Sequence, residues 1–388
     1  MTSDRNVEEL GEALADGRLS REQFLGRGAL LGLSVSALGT VLARAEAASG
    51  AAQKTIKAAW VYVGPVGDAG WTYQHDLGRQ AAVKALGSQL KTSFVESVPE
   101  TPSVATRIIR DLAKKGNDII FTTSFGFMDP TLAVAKEFPK IKFEHCSGFK
   151  TAANSGNYFG AMEEARYLSG IAAGKKTKSN KLGYVAAFPI PEVVRGLNAF
   201  TMGVRSVNSK AKVRVVWTST WFDPSKERSA AESLLNVGCD VLAMHQDTPS
   251  TGQAAEAKGK FWVGYDSDTR RFAPEAFLTA PVWNWGGYYT RRIKDVMNGT
   301  WKTDTFYGTM KSGMIGLAPP SSLVDSATKA LIAKKQAEIK SGAFNVLSGP
   351  IKDQKGKVRI AAGDVMSLAD ALSWQWLVEG VEGSIPKA

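Results

Sequence analysis

Between residues 57 and 298 short apolar runs alternate with amphipathic stretches, and that alternation leaves few folds open. Runs at 57–63, 91–98, 118–122, 142–145, 158–160, 182–186, 213–217, 241–244 and 261–265 have the length and composition of buried strands. Segments at 75–86, 102–115, 130–137, 165–177, 191–207, 224–237, 253–258 and 287–298 read as the helices between them. Strand and helix in strict turn predict an α/β protein built on doubly wound parallel sheets. Segment 102–115 carries the logic: Thr101 stands at the cap, Pro102 suits the first turn, and Val104, Ile108 and Leu112 recur at four-residue spacing. The units are too many for one sheet, and the plan of strand, aromatic-bearing turn and helix occurs at 57–86 and again at 182–207. The expected organisation is an export signal region at 1–47, a first lobe of 54–161 plus 282–303, and a second of 162–281 plus 304–388. Passages of the chain at 160–164, 281–284 and 301–304 would form a hinge that lets the lobes open and close.

Composition removes several function classes. With 388 residues and 44% hydrophobic content, the chain can fill two cores. The net charge is +11, but the basic pairs Lys114-Lys115, Lys175-Lys176, Arg270-Arg271 and Lys334-Lys335 are scattered. A nucleic-acid binder concentrates such charge on one face, so no nucleic-acid partner is expected. Cys146 and Cys239 fall in different α/β units and read as buried free thiols. His75, His145 and His245 lack metal-ligand spacing, so neither a metal nor a cofactor is expected.

The first residues are polar, and an apolar run at 29–43 then leads to Ala45-Glu46-Ala47, a small-x-small site for a signal peptidase. The run is short for a membrane anchor. Ser20-Arg21-Glu22-Gln23-Phe24-Leu25 resembles a twin-arginine signal in which Glu22 replaces the second arginine. No cysteine stands near the cleavage site to carry a lipid. The expectation is a mature protein that begins near Ala48, free in the periplasm.

One turn draws attention. The apolar run 58–63 stops in Gly64-Pro65-Val66-Gly67-Asp68-Ala69-Gly70, and Trp71 follows. The glycine spacing differs from a dinucleotide fingerprint, Pro65 removes a backbone donor, and the indole would crowd a pyrophosphate. Trp221, Trp283 and Trp285 also fall just after apolar runs, with Phe125, Phe188, His245-Gln246-Asp247-Thr248 and Asp266-Ser267-Asp268 at similar places. Strand ends in parallel sheets face the ligand crevice, so these groups are expected to converge. Aromatic walls suit a planar ring, and carboxylates and amides suit its N–H edge.

The runs GPVGDAGWTYQHDLGR, IIFTTSFGFMDPTLAVAKEFPKIKFEH, PIPEVVRGLNAF, WFDPSKE and MKSGMIG resemble the basic membrane protein (Bmp) family of ABC-transporter substrate-binding proteins, in its purine- and adenine-binding branch. The resemblance extends over 57–349. It implies a type I periplasmic-binding-protein fold, two Rossmann-like lobes joined by a three-crossover hinge. It also implies permease and ATPase partners and no chemistry on the ligand. Nucleoside-binding members hold the purine between two aromatic side chains, and Trp71 and Trp221 match those places. Asp68 and Asp268 match acidic positions of the family, and Phe125 lies in the next family turn. Where nucleoside receptors carry a ribose-gripping lysine, this chain has Trp283. His245-Gln246-Asp247-Thr248 replaces a glycine-rich turn.

The resulting expectation is a monomeric receptor, not an enzyme, that captures a purine base, adenine first, between two lobes. Trp71 and Trp221 would stack on the ring, Asp68, Gln246, Asp247 and Asp268 would read its edge, and Phe125 and Trp283 would close the cavity. A receptor for a nucleoside or another flat heterocycle such as a flavin is the alternative. A purine-processing hydrolase and a sensor without transport stand behind it.

Overall fold

The computed structural model of the chain describes residues 55–386 without a break, together with Leu10, Ala13, 19–30 and Thr40. The expected signal-peptidase site and the start near Ala48 lie outside the described residues. The chain folds as two compact units, Met1–Ile56 with Ser88–Lys91, and Lys57–Gly87 with Thr92–Ala388. In the smaller unit, helix α1 (Arg21–Leu30) opens with a capping box: the Ser20 amide donates to Gln23 Oε1 at 2.9 Å and the Gln23 amide to Ser20 Oγ at 3.2 Å. Among the described residues no helix is long and apolar enough to cross a membrane.

The strands run in chain order β1 (Ile56–Val61), β2 (Leu90–Val95), β3 (Ile119–Thr122), β4 (Lys142–Cys146), β5 (Ser155–Gly160), β6 (Lys181–Ala186), β7 (Lys212–Trp217) and β8 (Val241–His245). They continue as β9 (Phe261–Val263), β10 (Phe277–Thr279), β11 (Pro281–Trp283), β12 (Thr305–Gly308), β13 (Ile315–Leu317), β14 (Ile351–Lys352), β15 (Val358–Ile360) and β16 (Val381–Glu382). One six-stranded sheet has the order β12-β5-β4-β3-β1-β2 and the other β10-β9-β8-β6-β7-β16. The pairings β1–β3, β3–β4, β4–β5, β6–β7 and β6–β8 are all parallel, which accounts for fully buried strands such as IIFT and VLAMH.

The helices that position the site are α2 (Trp71–Leu86), α3 (Pro102–Lys114), α4 (Met128–Glu137), α5 (Met162–Lys176), α6 (Pro191–Val207), α7 (Pro224–Asn236), α8 (Ser250–Ala257) and α9 (Gly286–Met297). In α3 the inward face is centred on Ala105, Ile109 and Leu112, which pack with Ile120, Phe143 and Val134. Val104 and Ile108 are half-buried beside it, so the buried stripe is rotated from the one the spacing predicts. The Thr101 side chain makes no capping bond. Helices α5 and α6 meet backbone to backbone: a β-carbon on Gly203 would lie 2.0 Å from the Tyr167 carbonyl oxygen, and one on Gly170 2.2 Å from that of Phe200.

The chain leaves the first sheet after Gly160, comes back through β11, and leaves again through β13, which pairs antiparallel with β11. One boundary differs from expectation. The stretch 301–304 is no passage between sheets, because it leads into β12, which pairs in parallel with β5. The return is therefore made at β13, and the segment from 304 to Gly308 belongs with the first sheet rather than the second. These later strands are three or four residues long, too short to show a period in the sequence. Cys146 and Cys239 are buried and free, as expected.

Candidate functional site

A cavity opens where the carboxyl ends of the two sheets meet. Val63, Trp71, Ser124, Phe125 and Ser147 line it from loops after β1, β3 and β4. Glu192, Trp221, His245, Asp247 and Tyr265 line it from loops after β6, β7, β8 and β9.

Trp71 is the first residue of α2, after Ala69 at φ 64°. A β-carbon on Gly70 would meet the Asp247 carbonyl oxygen at 2.6 Å, so this glycine lets the two sides of the cavity approach. The Trp71 indole donates to the Thr123 carbonyl at 2.6 Å, and the Trp283 and Trp285 rings meet it edge to face at 5.5 and 5.6 Å. Trp283 and Trp285 are themselves stacked at 4.4 Å. Opposite, Trp221 donates from Nε1 to Glu100 Oε2 at 2.9 Å, with Phe188 at 5.1 Å, and its carbonyl accepts from the Asp247 amide at 3.1 Å. Phe125 begins a short 3₁₀ turn that Glu100 also holds, through Ser124 Oγ at 2.5 Å and the Gly126 amide at 2.7 Å. Both indoles are thus fixed by their N–H groups, which leaves their faces for contact.

Of the expected site residues, Trp71, Trp221, Phe125 and Asp247 come together on the cavity. Asp68 ends the 3₁₀ turn Val66–Asp68, and its side chain lies outside the described residues. Trp283 does not line the cavity. It is buried behind Trp71, with Nε1 donating to Asp266 Oδ1 at 3.0 Å. Gln246 is buried off the lining and donates to Thr218 Oγ1 at 2.6 Å, since side chains alternate across a strand end and its neighbours take the cavity side. Asp268 is exposed and paired with Arg270 at 3.0 Å. The buried acid of that turn is Asp266, which adopts a φ of 64°.

Glu192, Ser147 and Tyr265 were not among the expected site residues, and His245 was expected to converge there only as part of its turn, without a role of its own. Glu192 and Ser147 had a usable signal, since each directly follows a strand end or opens a helix after one. The Ser147 hydroxyl donates to the Glu192 carboxylate across the cavity. Burial pushes the Glu192 carboxyl up to about 7, against the opposing pull of Ser147 and Arg195. Burial, with Arg166 and Arg195 nearby, holds His245 well below its usual range, so its ring is neutral. The cavity therefore offers aromatic faces, a carboxyl near its midpoint at neutral pH, a neutral imidazole and an aspartate. Among the described residues no group of His, Cys, Asp and Glu is arranged to hold a metal ion.

Paired parallel sheets with a cavity between their carboxyl ends define the periplasmic-binding-protein type I architecture. The chain belongs to the Bmp family, described as PnrA-like ABC transporter substrate-binding proteins, which it matches over residues 55–345. It is 43% identical to a purine-binding protein of Brucella abortus (strain 2308) over 87% of this chain and 95% of that one. It is 38% identical to a Haloferax volcanii protein, provisionally named as an ABC transporter glucose-binding protein, over 86% of this chain and 82% of that one. A solved ABC-transporter solute-binding protein from Aeropyrum pernix K1 shares the fold, with a TM-score of 0.66 at 20% identity, covering 77% of this chain and 93% of that one. Proteins of this class bind small molecules outside the cytoplasmic membrane and work with permease and ATPase components.

Proposed function

We propose that this protein is the receptor of an ABC importer for a purine base, adenine first, captured between two lobes without chemistry. The observation that carries this reading is the pair of N–H-anchored indoles, Trp71 and Trp221, brought to one cavity from opposite sheets. Asp247, Glu192 and His245 are the edge-reading groups in this reading, and Phe125 shields the ring. Trp283 keeps a role as the support of Trp71. The purine-binding relative adds weight, because its similarity extends over 87% of this chain and so is not confined to one motif.

The lobes turn about the β11–β13 pair, and ligand capture closes them, presenting one shape to the permease. The protein acts as a monomer, exported to the periplasm by the leader that ends near Ala47. Titration calorimetry with adenine, adenosine and glucose in parallel tests the reading. Adenine should bind, adenosine more weakly, and glucose not at all. Heat with glucose alone would overturn the purine assignment.

A further inference from the structure

Directly behind the cavity wall, three buried polar groups face one glycine. A β-carbon placed on Gly196 would meet Arg166 Nε and His245 Nδ1 at 3.4 Å and the Tyr184 hydroxyl at 3.5 Å. All three atoms are buried and have no hydrogen-bond partner among the described residues, and Arg166 Nη2 is a fourth. Arg166 is held by its remaining nitrogen, Nη1, on the Met244 carbonyl at 2.7 Å, and by its plane lying 3.6 Å over the Tyr265 ring. Gly196 sits inside α6 in an ordinary helical conformation. A methyl group there would make only ordinary van der Waals contacts, and helix propensity favours alanine. Neither sterics nor backbone therefore asks for glycine. What a methyl would remove is the space between three polar atoms that otherwise carry the cost of burial without partners.

We propose that the niche beside Gly196 binds one small hydrogen-bond acceptor, a water molecule or a halide ion, held by Arg166, Tyr184 and His245. The guest must accept, because a guanidinium has donors and no acceptor. A halide, which can only accept, also takes the His245 Nδ1–H and so fixes the tautomer of a neutral ring. The ring's other nitrogen, Nε2, is then the unprotonated atom available to a molecule in the cavity. The niche thus sets His245 to receive an N–H from the ligand, which deepens the purine reading and rests on it for that last step.

Crystals grown in sodium bromide and measured at the bromine absorption edge test the site itself. An anomalous peak within hydrogen-bond distance of Arg166, Tyr184 and His245 identifies a halide, and an ordinary solvent peak there identifies water. No peak overturns the proposal, whatever ligand the cavity takes. Nitrogen-15 spectra of His245 test the tautomer, with Nδ1 protonated expected and Nε2 protonated overturning it. Gly196→Ala should shift the His245 ring resonances and lower purine affinity about tenfold, while Gly196→Ser, whose hydroxyl can replace the guest, should keep both near wild type. Unchanged His245 resonances in folded Gly196→Ala would also overturn the proposal.

Discussion

The indole of Trp221 donates to Glu100 across the cavity at 2.9 Å, while the other oxygen of the same carboxylate holds Ser124 and Gly126 on the first sheet's side. One side chain therefore orders both an aromatic wall and the loop that faces it. Glu100→Ala should weaken ligand binding by about 1.5–3 kcal/mol, the value of a hydrogen bond to a charged acceptor, with little change in melting temperature. Calorimetric affinity beside a thermal melt checks this, and an unchanged dissociation constant would remove Glu100 from closure.

Trp71 has a cavity-facing plane only because its edge is held by Thr123 and backed by Trp283 and Trp285. Trp71→Ala should cost about 1–3 kcal/mol of adenine affinity, the scale of base–aromatic stacking. Trp71→Phe should recover part of the loss, because a smaller ring still stacks. Equal losses in both variants would argue that the indole N–H, not the ring face, matters.

Glu192 should make binding depend on pH. Its carboxyl is raised from the usual 4.5 to about 7, chiefly by burial, with Ser147 and Arg195 lowering it and Glu100 raising it. A raised acid is protonated more readily in the closed form than in an open, hydrated one, so closure takes up a proton between those values. Affinity should accordingly be greatest at low pH, fall as pH rises from 4.5 to about 7, and level off above that. The slope should approach about tenfold per pH unit if this group alone titrates. Glu192→Gln should flatten the profile measured by calorimetry, and a profile equally steep in the variant would exclude Glu192.

Asp266 and Asp268 are two residues apart and have opposite fates. Asp268→Ala removes an exposed pair with Arg270 and should change stability by less than about 0.5 kcal/mol and leave binding intact. Asp266→Ala strips the acceptor from the buried Trp283 indole and places alanine at a positive φ, so it should cost about 1–3 kcal/mol or more. Urea unfolding of the two variants side by side distinguishes them.

Glu144 is fully buried and accepts from Arg292 Nε at 2.6 Å, Trp301 Nε1 at 2.7 Å and the Tyr288 hydroxyl at 2.6 Å, fastening α9 to β4. Arg292→Met would leave that carboxylate without its counter-charge, at an expected cost of about 3–5 kcal/mol. Replacing both partners together, Glu144→Gln with Arg292→Met, should restore much of the loss. Denaturant midpoints of the single and double variants check the coupling.

The periodicity of this chain was enough to find the strands from 57 to 265 and the helices between them, because burial on both faces of a parallel sheet writes continuous apolar runs into the sequence. It was not enough for β11, β12 and β13, whose few residues carry no period, and so the last passage of the chain was misplaced. Position after a strand end marked Trp71, Phe125, Trp221 and Asp247 as a common site, since topology alone sends such residues to the same crevice. Which of two neighbours turns toward that crevice is a matter of side-chain direction and of partners distant in sequence. Asp266, not Asp268, is buried because Trp283 supplies its donor from 17 residues away, and Trp283 is kept off the cavity by the same bond. Glu192 and Ser147 meet only because two separate sheets bring their loops together. The sequence by itself determined the class of fold and the aromatic character of the site. The tertiary structure decided which polar groups line the cavity, since burial and long-range hydrogen bonding are properties of the packed chain.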